Sequence, residues 1–141
     1  AHMGVAIMIM GITCSTVFQS ELNLSLKTNE VFELKNYSIK FEDTMINNKS
    51  NYQELVGLFK IYKNNKNISN VTPSKRYYHI SKMITTEAGI YRHWFQDFYI
   101  VLGDENNEKW NVKIYQNPLV NLIWLGVILM IISGFIGIRK K

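Results

Sequence analysis

The chain has 141 residues, with 16 basic and 11 acidic side chains and a formal net charge of +5 at pH 7. Three positive charges form the C-terminal run 139–141, so the rest of the chain is close to balance and has no dense basic patch. This distribution, together with the lack of a zinc-ligand spacing, argues against nucleic-acid binding. The single cysteine, Cys14, excludes an intrachain disulfide and a CxxC redox motif.

The first predicted element is the apolar segment 1–18, which is just long enough to cross a bilayer. We expect a transmembrane helix; a secretory signal peptide and, for residues 1–3, a cloning remnant are the alternatives. Gly4 and Gly11 are seven residues apart and share a helix face, where small residues let another helix approach closely. Because the chain does not begin with methionine, we expect a fragment or a product trimmed at its N-terminus.

His2 is the candidate functional residue of this segment. A histidine within a membrane helix is rare and normally faces a protein interior, where it serves as a metal ligand or proton carrier. The alternative is a histidine at a frayed or interfacial helix end, and the residues alone favour neither. If it is a ligand, we expect it to lie on the Gly4 side of the helix, against a packing surface.

Residues 19–117 predict a small antiparallel β-rich domain, either sandwich-like or a partly open barrel. The evidence is a series of short runs that are apolar or alternate with period two, separated by turn residues. We expect a turn at 28–29 and a short helical turn around 86–91. The predicted strands are 31–34, 37–42, 55–62, 77–84, 98–102 and 110–115.

The side chains of residues 19–117 give little evidence for a catalytic or metal-binding site. His79 and His93 have no cysteine or carboxylate at a recognised metal spacing, so we interpret them as half-exposed strand residues. Glu87 and Asp97 are expected to form structural ion pairs with Arg76 or Arg92, since no nucleophile elbow or phosphate loop accompanies them. An aromatic cluster is interpreted as core plus a surface resting against the membrane helices, with a binding face as the alternative. Its members are Tyr77, Tyr78, Tyr91, Trp94, Phe95, Phe98 and Tyr99.

The last predicted element, 118–138, is a second transmembrane helix. Residues 119–138 include no charged side chain and would measure about 30 Å as a helix, the thickness of a hydrocarbon core. A buried helix of a soluble core is the alternative, but a chain this short cannot enclose it. The basic tail 139–141 is expected on the cytoplasmic side, which places residues 19–117 outside. The fold class is therefore predicted as an α+β membrane protein fragment, with two transmembrane helices flanking an external (periplasmic) β-rich domain.

Several motifs in the second half of the chain resemble the C-terminal part of CcmF-type cytochrome c heme lyases. The family pattern Pro-Glu-Arg/Lys-Arg-x-Tyr is matched by Pro73, Lys75, Arg76 and Tyr78, with Ser74 where glutamate is usual. The pattern Met-Thr-Glu-Ala is matched by Thr86, Glu87 and Ala88, with Thr85 where methionine is usual. Further matches follow in order at Asp97, Tyr99, Leu102, Gly103, Trp110, Pro118, Val120, Trp124 and Gly126. The start, AHMG, is similar to the family's Ala-His-x-Gly transmembrane segment, which argues against a cloning remnant.

The resemblance implies that a longer protein attaches heme, brought by a heme chaperone, to the CxxCH motif of apocytochrome c. His2 matches the family's transmembrane histidine, one of two axial ligands of a resident heme b. The partner histidine lies upstream in the family, so this piece is expected to supply one ligand and a structural domain without ligating heme alone. Other cytochrome c maturation membrane subunits are implied as partners, in the bacterial or mitochondrial inner membrane, with the central domain in the periplasm or intermembrane space. A membrane-anchored structural or docking module without a cofactor is the alternative, and nitrite-reductase-associated paralogues share the motifs.

Overall fold

Two helices and ten strands make up residues 2–139, the part of the chain that the computed structural model describes. In chain order they are α1 (His2–Val17), β1 (Ser20–Leu26), β2 (Val31–Leu34), β3 (Tyr37–Asn48), β4 (Tyr52–Lys63), β5 (Lys66–Val71), β6 (Ser74–Tyr78), β7 (Ile84–Glu87), β8 (Gly89–Arg92), β9 (Gln96–Asn106), β10 (Lys109–Pro118) and α2 (Val120–Arg139). Ala1, Lys140 and Lys141 lie outside the described residues, so the predicted cytoplasmic tail 139–141 stays a prediction.

The larger sheet has six strands in the order β2-β3-β4-β6-β7, with β5 also paired to β4. Its pairs are antiparallel, as the sequence predicted. The 12-residue strand β4 is long enough to serve two partners along one edge, with Leu55 opposite Lys75 of β6 and Phe59 opposite Val71 of β5. β4 is therefore the central strand of this sheet.

The smaller sheet has the order β1-β10-β9-β8, and apolar side chains from both sheets form the core. Phe41 and Phe59 are opposite each other on β3 and β4, with their rings stacked at a centroid distance of 4.8 Å. A Cβ at Gly57 of β4 would lie 3.2 Å from the Leu102 side chain of β9, so this glycine permits close packing of the sheets. Fully buried positions are Ile39, Phe41, Phe59, Ile61, Pro73, Phe98, Ile100, Leu102, Val112 and Ile114. The predicted sandwich-like domain is confirmed.

Asparagine-rich turns join several strands. Asn64 and Asn65 form the two-residue connection between β4 and β5, with φ of 51° and 59°. Positive φ at both central residues is the signature of a type I′ hairpin turn, which asparagine tolerates better than most residues. Asn29, with φ of 67°, occupies the turn predicted at 28–29. Asn29, Asn64 and Asn65 thus have a conformational role in the turns.

Two local predictions were wrong. The run 77–84 is not one strand, because β6 ends at Tyr78 and β7 begins at Ile84. Ile80 between them is 91% exposed, so the alternating pattern had no buried face to occupy. The helical turn expected around 86–91 is extended instead, because Thr86 pairs with Lys75 on β6 and Gly89 begins β8. Strands β1, β5 and β8 were not predicted.

The chain divides into two compact units. The first unit contains both helices together with residues 92–98 and 115–119, and the second unit contains most of the strands. Within the first unit the helices are antiparallel: Gly4 lies against Gly126, and Gly11 lies against Ile123. A Cβ on Gly126 would come within 2.6 Å of the Gly4 carbonyl oxygen, closer than van der Waals contact allows. The prediction that Gly4 and Gly11 face another helix is confirmed.

One helix among the described residues, over Val120–Ile138, is long and apolar enough to cross a bilayer. Only 6% of its apolar window is buried, so α2 is not the enclosed core helix that served as the alternative. α1 is also apolar but, with 16 residues, it is shorter. A second transmembrane crossing, and with it the boundaries predicted for residues 1–18, 19–117 and 118–138, stays a prediction.

Candidate functional site

His2 is the first described residue of α1, and its side chain is exposed. An α-helix rotates by about 100° per residue, so residues two apart point in nearly opposite directions. Gly4 is buried against α2, and His2 therefore lies on the far side of α1. The expectation that His2 lies on the Gly4 side was wrong for this geometric reason.

The helix face around His2 suits a large apolar ligand with one nitrogen donor. Val5, Ile9 and Ile12 follow His2 at spacings of three and four residues, and these three are 39%, 55% and 46% exposed. This apolar stripe, with the imidazole at its end, is one side of a helix that is apolar all round, since Met3 and Met10 on another side are 68% and 57% exposed. Histidine is a common axial ligand of heme iron, and the residues present are compatible with that group.

The other two histidines of the chain, His79 and His93, both lie between strands. No group of three or more His, Cys, Asp or Glu side chains in the described part of the chain is arranged to hold a metal ion. His79 lies in the turn between β6 and β7, where its ring packs edge-on against Tyr77 at 5.8 Å. His93 lies between β8 and β9, where its Nδ1 is 3.5 Å from the Phe95 amide nitrogen. Both are turn or loop residues, so the strand positions predicted for them were wrong.

Residues 93–95, which we call the aromatic loop, join β8 to β9 and are fixed to the beginning of α2. The Leu119 amide donates a hydrogen bond to the Phe95 carbonyl oxygen at 2.9 Å. Asn121 Nδ2 donates to the carbonyl oxygens of His93 and Trp94 at 3.0 and 3.1 Å. Leu119 has φ of 57°, an uncommon left-handed conformation for leucine that lies where the chain passes from β10 into α2.

The base of the aromatic loop rests on buried polar groups. Asp97, which is 3% exposed, accepts a hydrogen bond from the His93 amide at 3.2 Å. Buried Gln116 of β10 donates to Gln96 of β9 and accepts from the Ser20 hydroxyl at 3.3 Å. The ion pair predicted for Asp97 is replaced by this local bond, which closes the turn into β9.

The predicted aromatic cluster does not form one surface. Phe98 is fully buried, whereas Trp94 and Phe95 are 76% and 71% exposed. Tyr77 and Tyr78 belong to β6 in the other unit. The core role expected for the cluster therefore applies to Phe98, and the two exposed rings need a different explanation.

An ion network occupies strands β4, β6 and β7. Glu54 accepts hydrogen bonds from Arg76 Nε and the Ser74 hydroxyl, each at 2.8 Å, and Arg76 also contacts Glu87 at 3.2 Å. The bond from Arg76, followed by that from Ser74, lowers the pKa of Glu54. The Arg76–Glu87 pair predicted from the sequence is confirmed. Since these charges are matched within the sheet, the arrangement is structural.

Replacing Glu54 by glutamine should destabilise the β-sandwich at neutral pH and weaken its acid dependence. Because the pKa of Glu54 is lower in the folded state than in the unfolded state, its carboxylate stabilises the fold above the unfolded pKa of about 4.3. This stability is lost as the pH falls through the folded pKa. Urea unfolding of both proteins between pH 3 and 7 measures this effect. Glu105→Gln, at an exposed position of β9, is the matched control and should change little. Equal pH profiles for wild type and Glu54→Gln would contradict the assignment.

Comparison with known proteins gives a consistent result. A family model described as the CcmF C-terminal β-sandwich matches residues 17–118. The chain is 34% identical over 142 residues to the cytochrome c-type biogenesis protein CycK of Bradyrhizobium diazoefficiens, covering 100% of this chain and 22% of that protein. It is 30% identical over 135 residues to the cytochrome c-type biogenesis protein CcmF of Pseudomonas aeruginosa, covering 95% and 20%.

The fold is also found in a solved structure, cytochrome c heme lyase CcmF. The TM-score is 0.75 at 16% sequence identity, and the match covers 92% of this chain and 22% of that one. At this identity the likeness shows the shared fold. The chain thus spans about a fifth of the length of the proteins it matches.

Proposed function

Because the chain belongs to the CcmF C-terminal β-sandwich family, we propose that it is the C-terminal part of a heme lyase of cytochrome c maturation. The observation that carries this proposal is a similarity to cytochrome c-type biogenesis proteins that extends over 95% or more of the chain. In this role the longer protein attaches heme from a heme chaperone to the CxxCH motif of an apocytochrome c. Its partners are these two proteins and other membrane subunits of cytochrome c maturation.

Within that protein, His2 is proposed to be one axial ligand of a membrane-embedded heme b. The support for this assignment is the match of His2 to the family's transmembrane histidine, and the apolar stripe of Val5, Ile9 and Ile12 leaves that side of α1 open to a further helix. Since α2 covers the opposite side of α1, the heme would lie between α1 and a further helix that carries the second ligand. When bound, heme b supplies a redox-active iron whose potential depends on its axial ligands.

Both helices are proposed to cross the inner membrane, with residues 19–117 on the periplasmic or intermembrane-space side. The length of α2 and the basic residues that follow it support one crossing and its direction. The antiparallel contacts of α1 along α2, from Gly11–Ile123 to Gly4–Gly126, support the second crossing. The two helix ends next to the strands then lie on the same side of the membrane.

The proposal is tested by the amount of covalently bound heme c in cells. A strain without the longer protein should regain heme-stained cytochrome c when it receives the intact gene. A gene lacking the part that encodes this chain should leave apocytochrome c unmodified, and adding the chain as a separate polypeptide should restore some heme attachment. Normal heme c without this chain, at a verified level of the shortened protein, would refute a role in heme ligation.

A docking module without a cofactor is the second candidate. It is favoured by a cavity of about 300 Å³ in the β-sandwich, lined on its apolar side by Ile46, Leu55, Ile84 and Trp110. Such a concave apolar surface can receive a side chain of a partner protein. This candidate predicts that heme b content is independent of His2, so the two functions are separated by one substitution.

A further inference from the structure

The aromatic loop exposes two large rings where a soluble surface rarely does. Trp94 is 76% exposed and Phe95 is 71% exposed, and they are adjacent. Burying an aromatic side chain of this size removes roughly 150–250 Å² of surface from water, which favours the buried state. The pair therefore has a strong preference for an apolar or interfacial environment.

The hydrogen bonds of the loop place its backbone beside the first turn of α2. The backbone of His93, Trp94 and Phe95 is bonded to Leu119 and Asn121, at the point where the 19-residue apolar span begins. The loop therefore lies beside the N-terminal end of the apolar span of α2.

Charged, polar and aromatic side chains occur together near the start of α2, which is the mixture found at a membrane interface. Arg92, His93, Trp94 and Asn121 line a cleft of about 290 Å³. One turn further along α2, Trp124 is 63% exposed. Tryptophan prefers the boundary between headgroups and acyl chains, and cations nearby can reach lipid phosphates.

We propose that the aromatic loop is an interfacial anchor, whose Trp94 and Phe95 rings insert into the outer boundary of the phospholipid acyl region. This inference depends on the proposed membrane placement of α2. The lipid is the favoured occupant because the loop is continuous with a helix whose length and composition suit a bilayer. Anchoring the loop through Leu119 and Asn121 would fix the depth and rotation of α2, since interfacial aromatic side chains set these quantities.

The test is fluorescence quenching by lipids brominated at different depths, with the protein reconstituted in phosphatidylcholine–phosphatidylglycerol vesicles. The difference between wild type and Trp94→Phe isolates the emission of Trp94. We expect blue-shifted emission that is quenched more by bromine near the carbonyl end of the acyl chain than near the methyl end. Aqueous acrylamide should have little effect on it.

The matched control is the difference between wild type and Trp124→Phe, which reports on α2 itself. If Trp124 is quenched by brominated lipid and Trp94 is not, the anchor is refuted and the placement of α2 stands. Quenching of Trp94 by acrylamide would show that the loop lies in water. Protection of Trp94 from both quenchers would show that protein covers it, which also overturns the inference. If neither tryptophan responds to lipid, the proposed membrane placement fails as well.

Discussion

Replacing His2 by alanine in the longer protein is expected to remove the absorbance of bis-histidine heme b. The imidazole is at the end of an exposed apolar stripe on α1, and alanine offers no nitrogen for the iron. The bis-histidine spectrum should be lost while much of the heme stays bound, because one remaining axial histidine is enough to hold a b-type heme, as in globins. The measurement is the pyridine hemochrome and the reduced-minus-oxidised spectrum of the purified protein.

The control is His79→Ala, which removes an exposed imidazole from the turn between β6 and β7. It should leave both the heme content and the protein yield unchanged. Wild-type heme b in His2→Ala would leave only the docking module as a function for this chain. The control separates a loss of ligand from a general effect of losing a histidine.

Replacing Gly126 by valine should disrupt the packing of α1 on α2. A Cβ at this position would lie 2.6 Å from the Gly4 carbonyl oxygen and 2.7 Å from the Met8 backbone nitrogen. Neither is the flexible end of a side chain, so the helices must separate. Overpacking of this kind costs about 1–3 kcal/mol. Reversible unfolding in mixed detergent micelles, followed by circular dichroism, measures the loss of stability.

Gly134→Val is the matched control, because a Cβ there meets nothing within 4 Å. Both substitutions change the intrinsic helix propensity of α2 by a similar amount. The difference between the two variants therefore reports the helix contact alone. Equal destabilisation would mean that α1 does not pack against α2 through Gly126.

The strands that the sequence predicted most clearly lie inside their sheets, with a partner strand on each side. Residues 37–42 and 110–115 alternate clearly, and their inward side chains are in the core. β1 carries the same signal, since Leu22, Leu24 and Leu26 alternate with polar residues, but this signal was overlooked. β5 gives almost no signal, because only Val71 of that strand is buried and the strand depends on pairing with β4.

The candidate site could be predicted in part. His2 stands out in the sequence because it is a histidine in an apolar segment. Its offset of two residues from Gly4 was sufficient to place it on the opposite face of α1. The aromatic loop could not be located in this way. Its position depends on Leu119 in a left-handed conformation and on side-chain bonds from Asn121, neither of which leaves a pattern in the sequence. Such long-range contacts decide the exposure of Trp94 and Phe95.

The most direct test of the central claim is an imidazole titration of the His2→Gly variant of the longer protein. Glycine leaves space on α1 where free imidazole can replace the missing ligand. The variant should lack the bis-histidine heme b spectrum and regain it, with saturation, as imidazole is added, while the wild type stays unchanged. A variant that shows the complete bis-histidine spectrum without imidazole would contradict the assignment of His2 as a heme ligand.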